Sequence, residues 1–118
     1  LAGERLIAEF GPEVSLRDVA VVMEREEVGA VVVVAEGRAA GVLSERDIVR
    51  AVANGEDVDD VRAEDVMAVD VVTIGLDATV TEAADVMEAG NIRHLPVTDD
   101  DKVVGMVSIR DILAAHRA

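Results

Sequence analysis

Cysteine is absent from this 118-residue chain, as are tryptophan and tyrosine; Phe10 is its only aromatic residue and Lys102 its only lysine. The lack of cysteine excludes disulfides, thiolate zinc sites and cysteine nucleophiles, and it is compatible with the cytoplasm, the expected location. The lack of large aromatics leaves a bound base only aliphatic side chains or Phe10 to lie against. A Walker-type phosphate loop needs a lysine behind its glycines, and none stands there. No apolar run approaches the length of a bilayer span and no signal peptide is visible, so no membrane partner is expected. Positive charge is scarce as well: 11 Lys and Arg face 25 Asp and Glu, for a formal net charge of -14. That field argues against nucleic acid or an anionic membrane, both polyanions, and an anionic ligand must find a local basic pocket to overcome it.

What the chain does have is valine and repetition. Hydrophobic residues make up 51%, enough for an aliphatic core, and valine suits half-buried strands. A gap-free offset of 64 residues aligns 7–54 with 71–118. It superposes Gly11 on Gly75, Met23 on Met87, Gly41 on Gly105, Ser44 on Ser108, Arg46 on Arg110 and Asp47 on Asp111. Two valine-rich segments can match by chance, but chance does not collect Gly, Ser, Arg and Asp in one short window. The chain is a tandem duplication.

Each half follows one plan. A short strand (Leu6–Phe10, then Asp70–Ile74) ends at Gly11 or Gly75. A helix follows, opened by a capping box of Ser15 with Asp18 or Thr79 with Glu82; Gly90-Asn91 closes the second copy with a left-handed cap. Next come a strand at Ala30–Ala35 or Leu95–Thr98, a turn at Glu36-Gly37 or Asp99–Asp101, and a strand at Ala39–Leu43 or Val103–Val107. The last helix runs from Ser44 to about Ala53, or from Ser108 to about His116. The Val31–Val34 run predicts burial on both faces. The expected fold is α/β, two tandem β-α-β-β-α repeats with their sheets packed against each other. Residues 1–54 form the first repeat, 55–66 an acidic solvated linker and 67–118 the second repeat.

The stretch that organises both copies is Gly41-Val42-Leu43-Ser44-Glu45-Arg46-Asp47 and Gly105-Met106-Val107-Ser108-Ile109-Arg110-Asp111. Each is a strand running straight into a helix, with Ser as N-cap and Asp in the first turn. The corner gathers N–H donors, the positive end of a helix dipole, a hydroxyl and a carboxylate, a set suited to a phosphate and a sugar diol. Ser-x-x-Asp is equally a variant capping box that only finishes a helix.

Strand–helix–strand–strand–helix, duplicated, with Gly-h-h-Ser-x-x-Asp opening the last helix, resembles a tandem pair of CBS domains, the modules named after cystathionine β-synthase. The resemblance covers essentially the whole chain and includes Asp65-Val66-Met67 and Asn91-Ile92-Arg93-His94-Leu95-Pro96-Val97. It implies a pseudo-twofold pair, often dimerised again, with two clefts between the repeats. It also implies a regulatory role in which an adenosine compound (AMP, ADP, ATP, S-adenosylmethionine or NAD) binds those clefts and clamps the repeats. A homodimer, and an unidentified protein that it regulates, are the expected partners; no cofactor is required.

Carried over by position, Asp47 and Asp111 are the carboxylates that accept from the ribose hydroxyls, an acceptor-only group facing two donors. Ser44 and Ser108 meet phosphate or ribose. Arg46 and Arg110 either supply positive charge or pair with surface carboxylates. The base falls to Val72, Thr73 and Ile74 in the second copy, and to Ala8, Glu9 and Phe10 in the first. Arg93-His94 resembles a basic pair that reaches phosphates, where the first copy has only Gly29-Ala30; His94 reads equally as an ordinary hydrogen-bonded residue at a strand start. The corner of Ser108 and Asp111 is therefore expected to be the better nucleotide site. Asp99–Asp101 lacks the ligand spacing of a calcium loop and reads as a turn. Ser44 and Ser108 have no histidine partner that would make them nucleophiles, no metal site is expected, and nothing makes a case for catalysis. The alternative function is a dimerising scaffold with empty clefts.

Overall fold

The computed structural model describes residues 10–116, and the chain divides after Val71 into two compact units. Of the expected strand Leu6–Phe10, all but Phe10 lies outside the described residues.

In the first unit, α1 (Leu16–Glu26) precedes the hairpin β1 (Ala30–Ala35) and β2 (Arg38–Ser44), then α2 (Glu45–Ala53). α1 begins where Ser15 Oγ accepts from Asp18 N at 3.2 Å. Only this half of the expected capping box forms; the reciprocal bond, from Ser15 N to the Asp18 carboxylate, is not made. The helix stops at Glu27, whose left-handed backbone (φ 56°) turns its N–H back onto Met23 O and Glu24 O. Antiparallel β1 and β2 pair Ala30 with Ser44 and Val32 with Val42, with a register shift between Val33 and Val34. Phe10 adds a parallel bridge to Val33 on the other edge of β1. Val31, Val32 and Val33 are wholly buried, as their apolar run predicts, while Val34, the last of that run, is only half-buried.

Residues 55–66 carry acids that face solvent, but the segment also contains one helical turn, α3 (Ala63–Val66), and its valines turn inward. Val58 and Val61 pack on the core of Leu16, Val19, Met23 and Leu43. Their carbonyls receive the first two N–H groups of α1, from Arg17 and Leu16, each at 3.0 Å. Those donors have no partner inside the helix, so the segment serves as an N-cap supplied from a distance. Arg17 also pairs with Asp59, and this hydrogen-bonded carboxylate raises the guanidinium pKa above its ordinary value. Ala68 then bridges Val42 on the outer edge of β2, through Val42 N to Ala68 O (3.0 Å) and Ala68 N to Val42 O (2.9 Å).

The second unit repeats the plan with β3 (Ile74–Gly75), α4 (Val80–Gly90), β4 (His94–Asp99), β5 (Lys102–Ser108) and α5 (Ile109–His116). Its sheet has the order β3-β4-β5, parallel then antiparallel. Thr79 Oγ1 accepts from Glu82 N at 3.1 Å, and Asn91 closes α4 in the left-handed conformation (φ 51°), as the Gly90-Asn91 pair predicts. Ile74, Ala83, Met87, Leu95, Val97, Val107 and Ile112 form its core. A fully buried Leu such as Leu95 contributes about 1.5–3 kcal/mol of transfer free energy. The expected strand Asp70–Ile74 is shorter and later than read, only Ile74–Gly75, because Pro96 in the facing strand lacks the N–H that would extend the ladder upstream.

Both hairpins turn through two left-handed residues, Glu36 and Gly37 (φ 56° and 80°) and Asp100 and Asp101 (φ 52° and 65°). This is the turn whose twist matches paired strands, and it favours glycine. Asp101→Gly removes a Cβ from an unfavourable region and one of three adjacent negative charges. It is expected to stabilise the protein by about 0.5–1 kcal/mol; an unchanged or lower midpoint in urea would sink that account. No described helix is long and apolar enough to cross a membrane.

Candidate functional site

The two glycine-to-aspartate stretches fold as strand-to-helix corners, one in each unit. In the first, Ser44 N donates to Asp47 Oδ2 at 2.8 Å, and Asp47 N donates to Ser44 Oγ at 3.3 Å. In the second, Ser108 N reaches Asp111 Oδ2 at 2.9 Å and Asp111 N reaches Ser108 Oγ at 3.2 Å. Both corners are thus complete reciprocal caps, and the structural reading of Ser-x-x-Asp is realised in each. The supply of free donors is smaller than the sequence suggested. Glu45 N is taken by Gly29 O (2.9 Å) and Ile109 N by Arg93 O (2.8 Å), which leaves the N–H groups of Arg46 and Arg110 in the first turn without a partner among the described residues.

What remains after capping differs between the copies. Ser44 Oγ lies 3.0 Å from Asp47 Oδ2 and donates its proton there. Asp47 Oδ1 faces Arg50 Nη1 at 3.5 Å. The first corner has therefore committed its hydroxyl proton and both carboxylate oxygens. In the second corner, among the described residues, neither the Ser108 hydroxyl proton nor Asp111 Oδ1 has a partner. The repeat position of Arg50 is Ala114, which carries no charge. That difference is visible in the sequence and was not singled out there.

Strand register brings further candidates to the second corner. His94 stands directly opposite Ser108, as Ala30 stands opposite Ser44. Facing residues hold their Cβ atoms about 5 Å apart on one face of the sheet, so half-buried His94 and Ser108 share that face. Arg93 is exposed and bonded through its backbone to the start of α5. Arg46 and Arg110 are exposed and form no ion pair among the described residues. The predicted pairing with surface carboxylates falls to Arg50 instead. Thr73 is exposed and outside any strand, Val72 is 43% exposed, and Ile74 is buried in the core. Ile74 can therefore offer a ligand its backbone but not its side chain. Ala8 and Glu9 lie outside the described residues.

Sequence reading also missed why the motif begins with glycine. A Cβ on Gly41 would lie 2.4 Å from Met67 Sδ, 2.6 Å from Met67 Cγ and 3.0 Å from Ala68 O. The Met67–Ala68 segment thus closes over a strand that must be bare at that point. Among the described residues, no cluster of three His, Cys, Asp or Glu could hold a metal ion.

Comparison with known proteins gives this arrangement its context. The CBS domain profile matches twice, over residues 9–54 and 63–118. The uncharacterized protein MK0525 of Methanopyrus kandleri is 38% identical over 99 residues, covering 81% of this chain and 50% of that protein. The CBS domain-containing protein YhcV of Bacillus subtilis is 31% identical over 107 residues, covering 90% and 76%. The chain thus spans only about half the length of the first of these relatives. Among solved structures, the CBS domain protein PAE2072 of Pyrobaculum aerophilum, complexed with AMP, has a TM-score of 0.84 at 32% identity, covering 98% of this chain and 95% of that one. The CBS domain pair of MJ0100, in complex with 5′-methylthioadenosine and S-adenosyl-L-methionine, has a TM-score of 0.85 at 26% identity, covering 96% and 90%. With two profile matches, two copies of the strand-to-helix corner and an α/β architecture shared with these structures, the chain belongs to the CBS-domain family as a tandem pair.

Proposed function

We propose that this chain is a regulatory ligand-binding module that takes an adenosine compound at the corner formed by Ser108, Asp111, Arg110, Arg93 and His94, with AMP, ADP or ATP foremost. The observation that carries this reading is that, among the described residues, Asp111 Oδ1 and the Ser108 hydroxyl proton are both without a partner. Together they offer an acceptor to a ribose diol and a donor to a phosphate oxygen. Arg93, Arg110 and the open N–H of Arg110 supply local positive character against a net charge of -14. The AMP and S-adenosylmethionine complexes of similar CBS proteins support the same ligand class. Binding stabilises one set of conformers over others, and a partner protein reads that shift; chemistry on the ligand is no part of the role.

A second reading, the dimerising scaffold, draws support from Val49 on α2 and Leu113 on α5. They occupy the same repeat position and are 65% and 53% exposed, and Val52 on α2 is 58% exposed. A second copy of the chain covering these positions would make the expected homodimer.

One set of measurements separates the readings. With no Trp or Tyr, the protein contributes almost no absorbance near 260 nm. A peak there that passes a filter after denaturation, identified by mass spectrometry, is the expected sign of a co-purified adenosine compound. Calorimetric titration with AMP, ATP, NAD and S-adenosylmethionine is expected to show saturable binding. Silence in both, with a concentration-dependent dimer in sedimentation, would replace the sensor with the scaffold.

A further inference from the structure

Pro96 sits in the middle strand of the second sheet, where proline is least expected because a middle strand is paired on both sides. Toward β5 it does no damage: it stands opposite Met106, and the antiparallel ladder runs past it. The consequence falls on the β3 side. Leu76 N donates to Thr98 O at 2.8 Å, so the backbone groups of Thr98 face β3. Those groups alternate from side to side along a strand, and residue 96 therefore faces β3 too. In the register Ile74↔Val97, the next rung upstream runs from the N–H of residue 96 to the C=O of Val72. Proline has no N–H to give. Pairing stops at Ile74, and Val72 C=O accepts from no described residue. Val72 is 43% exposed and lies outside the core, so water can take the place of the missing donor. The first unit has Val32 at this repeat position and keeps the donor.

Continued upstream along the line of β3, residue 72 falls beside the candidate corner. Val72 would flank the start of β4 on one side, and Ser108, opposite His94, flanks it on the other. Two strand spacings separate those flanks, about 10 Å, which is room for a base on one side and its sugar on the other. We infer that Pro96 is a positioning residue for ligand selectivity: by withholding the sheet's N–H from Val72, it keeps that carbonyl free to accept from an amino group on the ligand's base. This rests on the reading of the second corner as a nucleoside site. A carbonyl acceptor favours a 6-amino purine over a 6-keto purine, since two acceptors placed face to face leave both unsatisfied.

The test compares AMP, IMP and purine riboside monophosphate on the wild-type protein and on Pro96→Val, a change of similar volume that restores the N–H and copies Val32. The wild type is expected to prefer AMP over the other two by about ten- to a hundredfold. In Pro96→Val the new amide at 96 is expected to be protected from hydrogen exchange, with the preference collapsing to within about threefold, mainly through weaker AMP binding. A merely structural role would weaken all three ligands together and leave the ratio intact. A protected amide with an unchanged ratio overturns the inference, and so does a wild type that binds AMP and IMP equally, whatever the variant does. Failure of the wild type to bind any of the three removes the nucleoside reading itself, and the inference goes with it.

Discussion

Gly41→Val is expected to destabilise the first unit by about 2–4 kcal/mol, seen as a lower urea midpoint with an unchanged slope. The glycine is required by contact. Its Cβ would lie 2.4 Å from a methionine sulfur that can swing away and 3.0 Å from the Ala68 carbonyl, which cannot. That carbonyl is held by Val42 N at 3.0 Å while Ala68 N holds Val42 O at 2.9 Å. A branched side chain at position 41 must displace the pair, losing about 0.5–1.5 kcal/mol for each hydrogen bond and exposing the outer edge of β2. The Gly41→Ala and Met67→Ala double-mutant cycle is expected to show coupling of about 1 kcal/mol, because removing the sulfur relieves one clash and leaves the other. A Gly41→Val protein within 0.5 kcal/mol of wild type, on the scale where ordinary surface changes fall, would show that the segment yields freely.

Asp111→Asn should reduce AMP affinity by at least about thirtyfold, while Asp47→Asn changes it by less than about threefold. Asparagine retains a carbonyl oxygen for the backbone N–H of the cap, so helix and corner are kept in both variants. What it loses is the second acceptor and the charge. In the second corner that acceptor is Oδ1, free among the described residues; in the first it already faces Arg50 at 3.5 Å. The Arg50 contact is long and its guanidinium largely exposed, so its energy is small. Its effect is to place a cation where a ribose hydroxyl would have to donate. Equal losses in both variants, measured by calorimetry, would mean that the two corners serve the ligand alike.

How much of this was legible in the sequence depended on the range of the interaction. The repeat, the caps at Ser44 and Ser108, the left-handed stop at Asn91 and the buried run Val31–Val33 all rest on near neighbours, and period and residue type report them directly. The early strand did not read correctly: the β-branched run Val71-Val72-Thr73-Ile74 suggests a strand, but pairing was decided by a proline more than twenty residues downstream. The valines at 58 and 61 were hidden for a similar reason, since the acids around them mark the surface and only the fold shows which side turns in. At the corner, residue type identified Ser and Asp but not which of their atoms the caps had already used. That depended on Arg50 against Ala114 and on the register pairing His94 with Ser108.

The distant capping of α1 also bears on how the chain is made. Leu16 N and Arg17 N wait for the carbonyls of Val61 and Val58, and β2 waits for Ala68. A chain leaving the ribosome at about 5–20 residues per second folds from its N-terminal side as units become complete. The first unit receives its last edge at Ala68, just before the described residues of the second follow from Val72. Two copies of one strand plan are thereby completed one after the other. Strands β1 and β2 have their described partners in the chain before β4 and β5 are made, an order that favours pairing within each copy over exchange between them.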